Sequence, residues 1–244
     1  MCPIFRIGAD DAESRSASVF PLAIRQTTPS PLTRSLQNML PACIDHIVIS
    51  IPELDAGVES FRTIYGLETI GGGRHEGAGT ENRIIPLDGS YLELVTVVDA
   101  SSAAANPFGR LVAYGLEHSI PLTAWVVQVT EQSAALSHQH LRRDGVAVDL
   151  YGGVEEVIGS GDRPFGLVRP AGQAFPGASP AGSYRLVDIQ TVASGAEDPA
   201  SVGGADVALS PIAIRGGRLS AVVLESPDGM SVTLDQHLLE VISR

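Results

Sequence analysis

Two hydrophobic periods alternate between Ile44 and Val98. "IDHIVISI" (44–51) has the β-branched density of a strand. In "PELDAGVESFRTIYG" (52–66), Leu54, Val58, Phe61 and Ile64 or Tyr65 recur at helical spacing, with Gly66 as the stop. "LETIGGG" (67–73), "NRIIPLD" (82–88) and "SYLELVTVV" (90–98) return to the strand period, and "DGS" at 88–90 is a tight hairpin signal. The order predicted is β-α-β-β-β.

A second unit begins at Pro121. "LTAWVVQV" (122–129) reads as a strand, and "TEQSAALSHQHLRRDGV" (130–146) as a helix ending at Asp144-Gly145. Three more strands follow in "ALSPIAIRGG" (208–217), "RLSAVVLESPDG" (218–229) and "MSVTLDQ" (230–236). The same β-α-β-β-β order then recurs, interrupted by an insertion at about 151–209 that is rich in Gly, Pro and Ala. Residues 1–40 lack a sustained apolar period and read as a disordered extension, so 1–38 is expected to be removable without loss of folding. The expected division is therefore 1–40 extension, 41–120 first module and linker, and 121–244 second, degenerate module.

Composition narrows the functions available. With 44% hydrophobic and 18% charged residues, the chain is a soluble globular protein able to bury a proper core. A net charge of -12 argues against nucleic-acid backbones and anionic membrane surfaces as partners. All 16 basic residues are arginine, which excludes Schiff-base catalysis and a P-loop lysine. Cys2 and Cys43 make neither a disulfide framework nor a zinc site, and no apolar run reaches the length of a membrane span. A cytoplasmic location is expected.

The candidate chemistry lies in two strands that each carry one ionisable residue among apolar neighbours. Alternation puts Ile44, His46, Val48 and Ser50 on one face of the first strand, and Asp45, Ile47 and Ile49 on the other. On the fourth strand Tyr91, Glu93 and Val95 share a face. A carboxylate and an imidazole converging in a pocket suit a divalent ion such as Zn, Fe, Mn or Ni. His75, with Gly77, Gly79, Thr80 and Asn82, forms a Gly-spaced polar stretch, read either as a hairpin turn or as a loop facing the cavity mouth. Asp45 reads as local backbone support, and His118, His138, His140 and His237 as surface residues.

Together "DHIVISIPELDAGVESFRTIYGL" (45–67), "GGGRHEGAGTENRIIPLDG" (71–89) and "YLELV" (91–95) resemble the vicinal oxygen chelate superfamily, and within it the glyoxalase-like domain proteins. The resemblance implies an α+β fold in which two βαβββ modules pair into a cupped, open mixed β-sheet barrel. It also implies metal ligands on the first and last strands of the modules, typically His and Glu. His46 and Glu93 occupy those positions in the first module. In the second, an overlay of the strands puts Trp125 and Thr233 there, and neither is a normal ligand.

Two functions remain open. The first is a small-molecule enzyme of lyase, isomerase or dioxygenase type, acting at a carbonyl or vicinal-oxygen centre. In it His46 and Glu93 bind a divalent metal, Glu93 and His75 serve catalysis, and Tyr91, Asn82 and Trp125 line the substrate pocket. The second is a metal-free protein of the same fold that binds or sequesters a small molecule. A homodimer is compatible with both. The insertion is expected to lie over the mouth of the second module's sheet, with Phe165, Arg169 and Phe175 nearest the pocket. His46 and Glu93 are expected within about 5 Å of one another. Glu93→Gln is expected to spare stability and to abolish metal affinity or turnover.

Overall fold

The computed structural model describes residues 40–129, 138–143, 146–158, 164–178, 184–192, 201–202, 205–209 and 217–242. The extension expected over 1–40 lies outside them, except that the first strand already starts at Leu40. The first module runs β1 (Leu40–Ser50), α1 (Leu54–Tyr65), β2 (Gly72–Glu76), β3 (Thr80–Leu87) and β4 (Ser90–Val97). Helix α1 buries Leu54, Gly57 and Phe61 and ends where Gly66 turns left-handed at φ 67, its N–H bonding back to the Arg62 and Phe61 carbonyls. The strand expected over 67–73 instead runs from Gly72 to Glu76: Gly71, at φ 92, turns the chain into it, and "GGRHE" is the strand itself.

Two short helices, α2 (Ala100–Ala105) and α3 (Pro107–Glu117), lead to the second half. There β5 (Leu122–Gln128), β6 (His138–Arg143), β7 (Val146–Tyr151), α4 (Val154–Val157) and β8 (Phe165–Val168) follow. The helix expected over 130–146 is replaced at its C-terminal end by the β6–β7 pair; residues 130–137 lie outside the described ones. In "VAVDLY" every second residue is apolar, a strand period that outweighs helix propensity once the hairpin can bury one face.

The eight strands close on themselves in the order β1-β4-β3-β2-β6-β7-β8-β5, with β5 pairing back to β1. The halves meet at two seams, β1–β5 and β2–β6, both antiparallel. The mixed, barrel-like sheet built from two half-modules is thus present, and it is closed. The strands that complete the second half are β6, β7 and β8, within 138–168. "RLSAVVLESPDG" and "MSVTLDQ" instead form β12 (Arg218–Glu225) and β13 (Ser231–Asp235) of a separate three-stranded sheet with β9 (Arg185–Val192). Two further strands, β10 (Ser201–Val202) and β11 (Ala205–Leu209), add to the start of β1, and α5 (Leu238–Ile242) follows β13.

The sheet separates two cores. On its far face Ile47, Ile49, Leu92, Leu94, Trp125 and Val127 pack with Phe61 of α1, with Val222 and Leu224 of the small sheet, and with Leu238 of α5. On the cavity face Val48, Val95, Ala124, Val126, Phe165 and Leu167 pack with Phe108, Leu111 and Val112 of α3. Burying each Val, Leu, Ile or Phe among these contributes about 1.5–3 kcal/mol before entropy is counted. Among the described residues no helix is long and apolar enough to cross a membrane.

Candidate functional site

On β1 the cavity-face positions are set by a break in the pairing. Ile44 opposes Val127 and His46 opposes Val126, so Asp45 is an extra residue on the β1 side. A one-residue bulge reverses the alternation. Ile44 therefore packs in the far core while His46 faces the cavity, which corrects the expectation that the two share a face. The bulge also brings Asp45 beside its neighbour: Asp45 Oδ1 lies 2.7 Å from His46 Nδ1.

Parallel pairing sets His46 opposite Tyr91 and Val48 opposite Glu93. The His46 and Tyr91 rings stack at 4.5 Å between centroids. His46 Nε2 is 3.5 Å from Glu93 Oε2, and His75 Nε2 on β2 is 3.5 Å from Glu93 Oε1. The Asn82 amide on β3 donates to the same Oε1. His75 Nδ1 is 2.9 Å from the Thr80 hydroxyl, and its ring meets Phe108 edge-on at 5.2 Å. His46, His75, Asn82, Tyr91 and Glu93 are thereby brought together, all of them buried. The Gly-spaced stretch is both a hairpin connection and a contributor to the site.

The opposite wall is apolar. Leu141 of β6, Val148 and Leu150 of β7, and Phe165 and Leu167 of β8 face the same cavity, which holds about 40 Å³. That is room for roughly three water-sized volumes, so a small ligand or the head of a larger one fits. Arg169, just past β8, closes one side: its Nη2 donates to both Asp45 oxygens, at 2.8 and 3.0 Å, and its guanidinium sits 5.3 Å from the centre of the Phe175 ring. Phe175 in turn meets Tyr91 edge-on at 6.2 Å. Phe165 and Arg169 thus line the cavity as part of, or just beyond, a barrel strand and not on a covering insertion, which corrects that expectation.

Trp125 is not in the pocket. On β5 it pairs with Ile47 of β1 and is wholly buried in the far core, because the β1–β5 register offers Val126 to the cavity opposite His46. Thr233 is exposed on β13 and has no part in the closed sheet. Gln173, which also lines the cavity, and the support that Asp45 gives to His46 and Arg169 have no sequence signal: Gln173 stands in a Gly/Pro-rich stretch, and strand alternation points Asp45 away. Val148 and Leu150 could have been found from the alternation in "VAVDLY".

Charge is concentrated on the polar wall. Burial pushes the Glu93 carboxyl up, but hydrogen bonds from His46 and His75 outweigh it and hold the group well below the ordinary carboxylate range. Burial pushes His46 down, yet Asp45 and Glu93 on either side raise it. Asp45 is likewise lowered by His46 and Arg169 against the cost of burial. Tyr91 is raised well above its usual value by burial, then by the Asp45 and Glu93 charges, so its hydroxyl stays protonated.

The matching family model is a glyoxalase-like domain, over residues 44–228. The chain belongs to the glyoxalase-like domain family. A crystal structure of a hypothetical protein from Staphylococcus aureus superposes with TM-score 0.54 at 13% identity, covering 78% of this chain and 93% of that one. A variant Streptomyces coelicolor methylmalonyl-CoA epimerase, in complex with 2-nitronate-propionyl-CoA, gives TM-score 0.43 at 20% identity, covering 55% of this chain and 99% of that one. The likeness to the first is one of fold. No curated protein matches the sequence.

Members of the vicinal oxygen chelate superfamily commonly bind a divalent metal, and the donors of this cavity are arranged differently. His46 and His75 address different oxygens of Glu93, so the carboxylate is spanned between two rings and does not meet them at one point. The second half presents Val126, Phe165 and Leu167 where further ligands would stand. Among the described residues no group of three or more His, Cys, Asp or Glu side chains is placed to hold a metal ion. The donor set does not fit.

Proposed function

We propose that this glyoxalase-like protein is a small-molecule enzyme of isomerase or lyase type that moves a proton at a carbon next to a carbonyl, with Glu93 as the base. The observation that carries this reading is the buried Glu93 carboxylate held between two imidazoles on the wall of a small cavity whose opposite wall is apolar. A base must be ionised and within reach of its proton, and a dry wall strengthens every charge opposite it.

In the free protein the two imidazoles suppress the basicity of Glu93. A substrate carbonyl entering beside Tyr91 takes up the His46 Nε2–H, and Glu93 regains basicity as that contact loosens. The C–H bond breaks, its proton goes to a Glu93 oxygen, and its electron pair moves onto the carbonyl oxygen. The resulting enolate is held by the His46 imidazolium, whose Nδ1–H stays on Asp45. Return of the proton to the same carbon inverts or exchanges it; expulsion of a neighbouring leaving group gives a lyase.

Deuterium uptake tests this directly. Hydroxyacetone, dihydroxyacetone and pyruvamide are incubated with wild-type protein in D₂O, and loss of the C–H signal is followed by NMR. Wild type is expected to exchange at least one of them, Glu93→Gln to fall at least about 10²-fold, and EDTA to change nothing. Binding without exchange would make the protein a metal-free binder. Exchange lost to EDTA and restored by Zn, Fe, Mn or Ni would establish a metal enzyme.

A further inference from the structure

Beyond Arg169 the chain leaves the closed sheet and crosses one end of it. The strand pairings put the starts of β1 and β4 at the same end as the finishes of β3, β5 and β8. Residues 170–178 run over that end, from just past β8 to the β3–β4 turn, where the Gly89 N–H donates to the Gly177 carbonyl and Ala178 pairs with Asp88. A Cβ on Gly177 would come 2.4 Å from the Ser90 carbonyl oxygen, so the segment sits directly on the turn. Between these points Gln173 lines the cavity, and Phe175 packs against Tyr91 and the Arg169 guanidinium. The opposite end is taken by α3, whose Phe108, Leu111 and Val112 pack with Val48, Val95 and Ala124 farther along the strands.

The segment is held lightly. Two of its backbone bonds, Gln173 N–H to the Pro170 carbonyl and Ala178 N–H to the Phe175 carbonyl, are made within itself and survive its displacement. In its closed position Gln173 Oε1 is buried without a partner, and so is Nε of Arg169, the residue that Phe175 covers. A buried polar atom left unpaired weighs against the state that buries it, and water satisfies both atoms once the segment lifts. The barrel strands beneath are tied by continuous ladders, so a local opening takes the segment first. We infer that residues 170–178 form a strap that gates the cavity, lifting to admit a small molecule and reseating through Phe175 on Tyr91 and Ala178 on Asp88.

The inference rests on the cavity being a small-molecule site, as proposed above, but not on proton transfer there. The probe is diethyl pyrocarbonate, which acylates accessible imidazoles, and the reporter is the buried His75 of the cavity wall. Asp88 and Ala178 are exposed and opposed in an antiparallel bridge, a spacing that a disulfide spans. The strap is therefore pinned by Asp88→Cys with Ala178→Cys, in a chain whose Cys2 and Cys43 are replaced by serine. Modification is read by mass spectrometry of the digest, with His237, its side chain 75% exposed, as internal standard. Oxidising the pinned protein is expected to slow acylation of His75 at least about 10-fold relative to the same protein reduced, and to leave His237 unchanged. Phe175→Ala needs no disulfide and should speed acylation of His75 about 3- to 10-fold. That rate should not rise in dilute urea, which separates local opening from unfolding. Equal rates at His75 in the oxidised and reduced proteins, or no change in Phe175→Ala, overturn the inference. Protection by the disulfide in a protein that exchanges nothing with D₂O leaves the strap standing and refutes the proton-transfer reading.

Discussion

His46 has both ring nitrogens committed, Nδ1 to Asp45 and Nε2 to Glu93, and Asp45 is shared with Arg169. Asp45 is thus the residue whose loss strands the most charge. Asp45→Asn leaves the Arg169 guanidinium and the His46 ring without their carboxylate, and is expected to cost about 3–5 kcal/mol in a urea melt. Tyr91→Phe removes only a hydroxyl from a ring that keeps its stacking, and should cost less than about 1.5 kcal/mol. An Asp45→Asn protein as stable as Tyr91→Phe would show that the buried pair holds nothing in place. The sequence exposes His46, Tyr91 and Glu93 because ionisable or hydroxyl-bearing side chains in apolar strands stand out, and His75 because it opens a Gly-spaced polar stretch. It concealed Asp45, since strict alternation sends that residue to the far face, and only a pairing irregularity visible in three dimensions turns it back.

Among the elements, the β2–β3 hairpin positions His75 and Asn82 on adjoining strands, and its turn contains two left-handed glycines. Gly77 has φ 73 with nothing near the position of a Cβ, whereas a Cβ on Gly79 (φ 66) would come 2.3 Å from the Asp99 carbonyl oxygen. Both alanine variants suffer the left-handed strain of about 1–2 kcal/mol, but only Gly79→Ala also clashes with the backbone that starts α2. Gly79→Ala is therefore expected to melt lower than Gly77→Ala, and equal melting temperatures would remove the clash as a cause. The first module was legible element by element because its periods are long and its stops are explicit, as at Gly66. The second was not. Apolar alternation in "VAVDLY" lies behind an Asp-Gly pair that also ends helices, and "RLSAVVLE" and "SVTLD" satisfy the strand pattern equally well whichever sheet receives them. The bulge at Asp45 also puts the two first strands one residue out of step, so that Val126 and not Trp125 stands opposite His46.

For the whole molecule the charged wall sets a pH window. Glu93 and Asp45 are lowered from ordinary values of 4.5 and 3.8, so what they contribute is present above those values and is lost as pH falls through their folded values. His46 is raised from 6.5, so its contribution is full below 6.5 and is lost as pH rises through its folded value. Melting temperature is therefore expected to peak at mildly acid pH, between about 4.5 and 6.5, and His46→Gln should flatten the alkaline limb. A wild-type optimum above pH 8 would contradict the assignment of the His46 charge. The closed sheet has one further consequence. His46, His75 and Glu93 all come from the first half, while the second half, apart from Arg169 and Gln173, supplies the apolar Leu141, Val148, Leu150, Phe165 and Leu167. Reactivity and shape are thus encoded in separate lengths of chain. The lineage, or an engineer, can resculpt the mould through β6 to β8 by volume-conserving swaps and leave the reacting apparatus on β1 to β4 undisturbed.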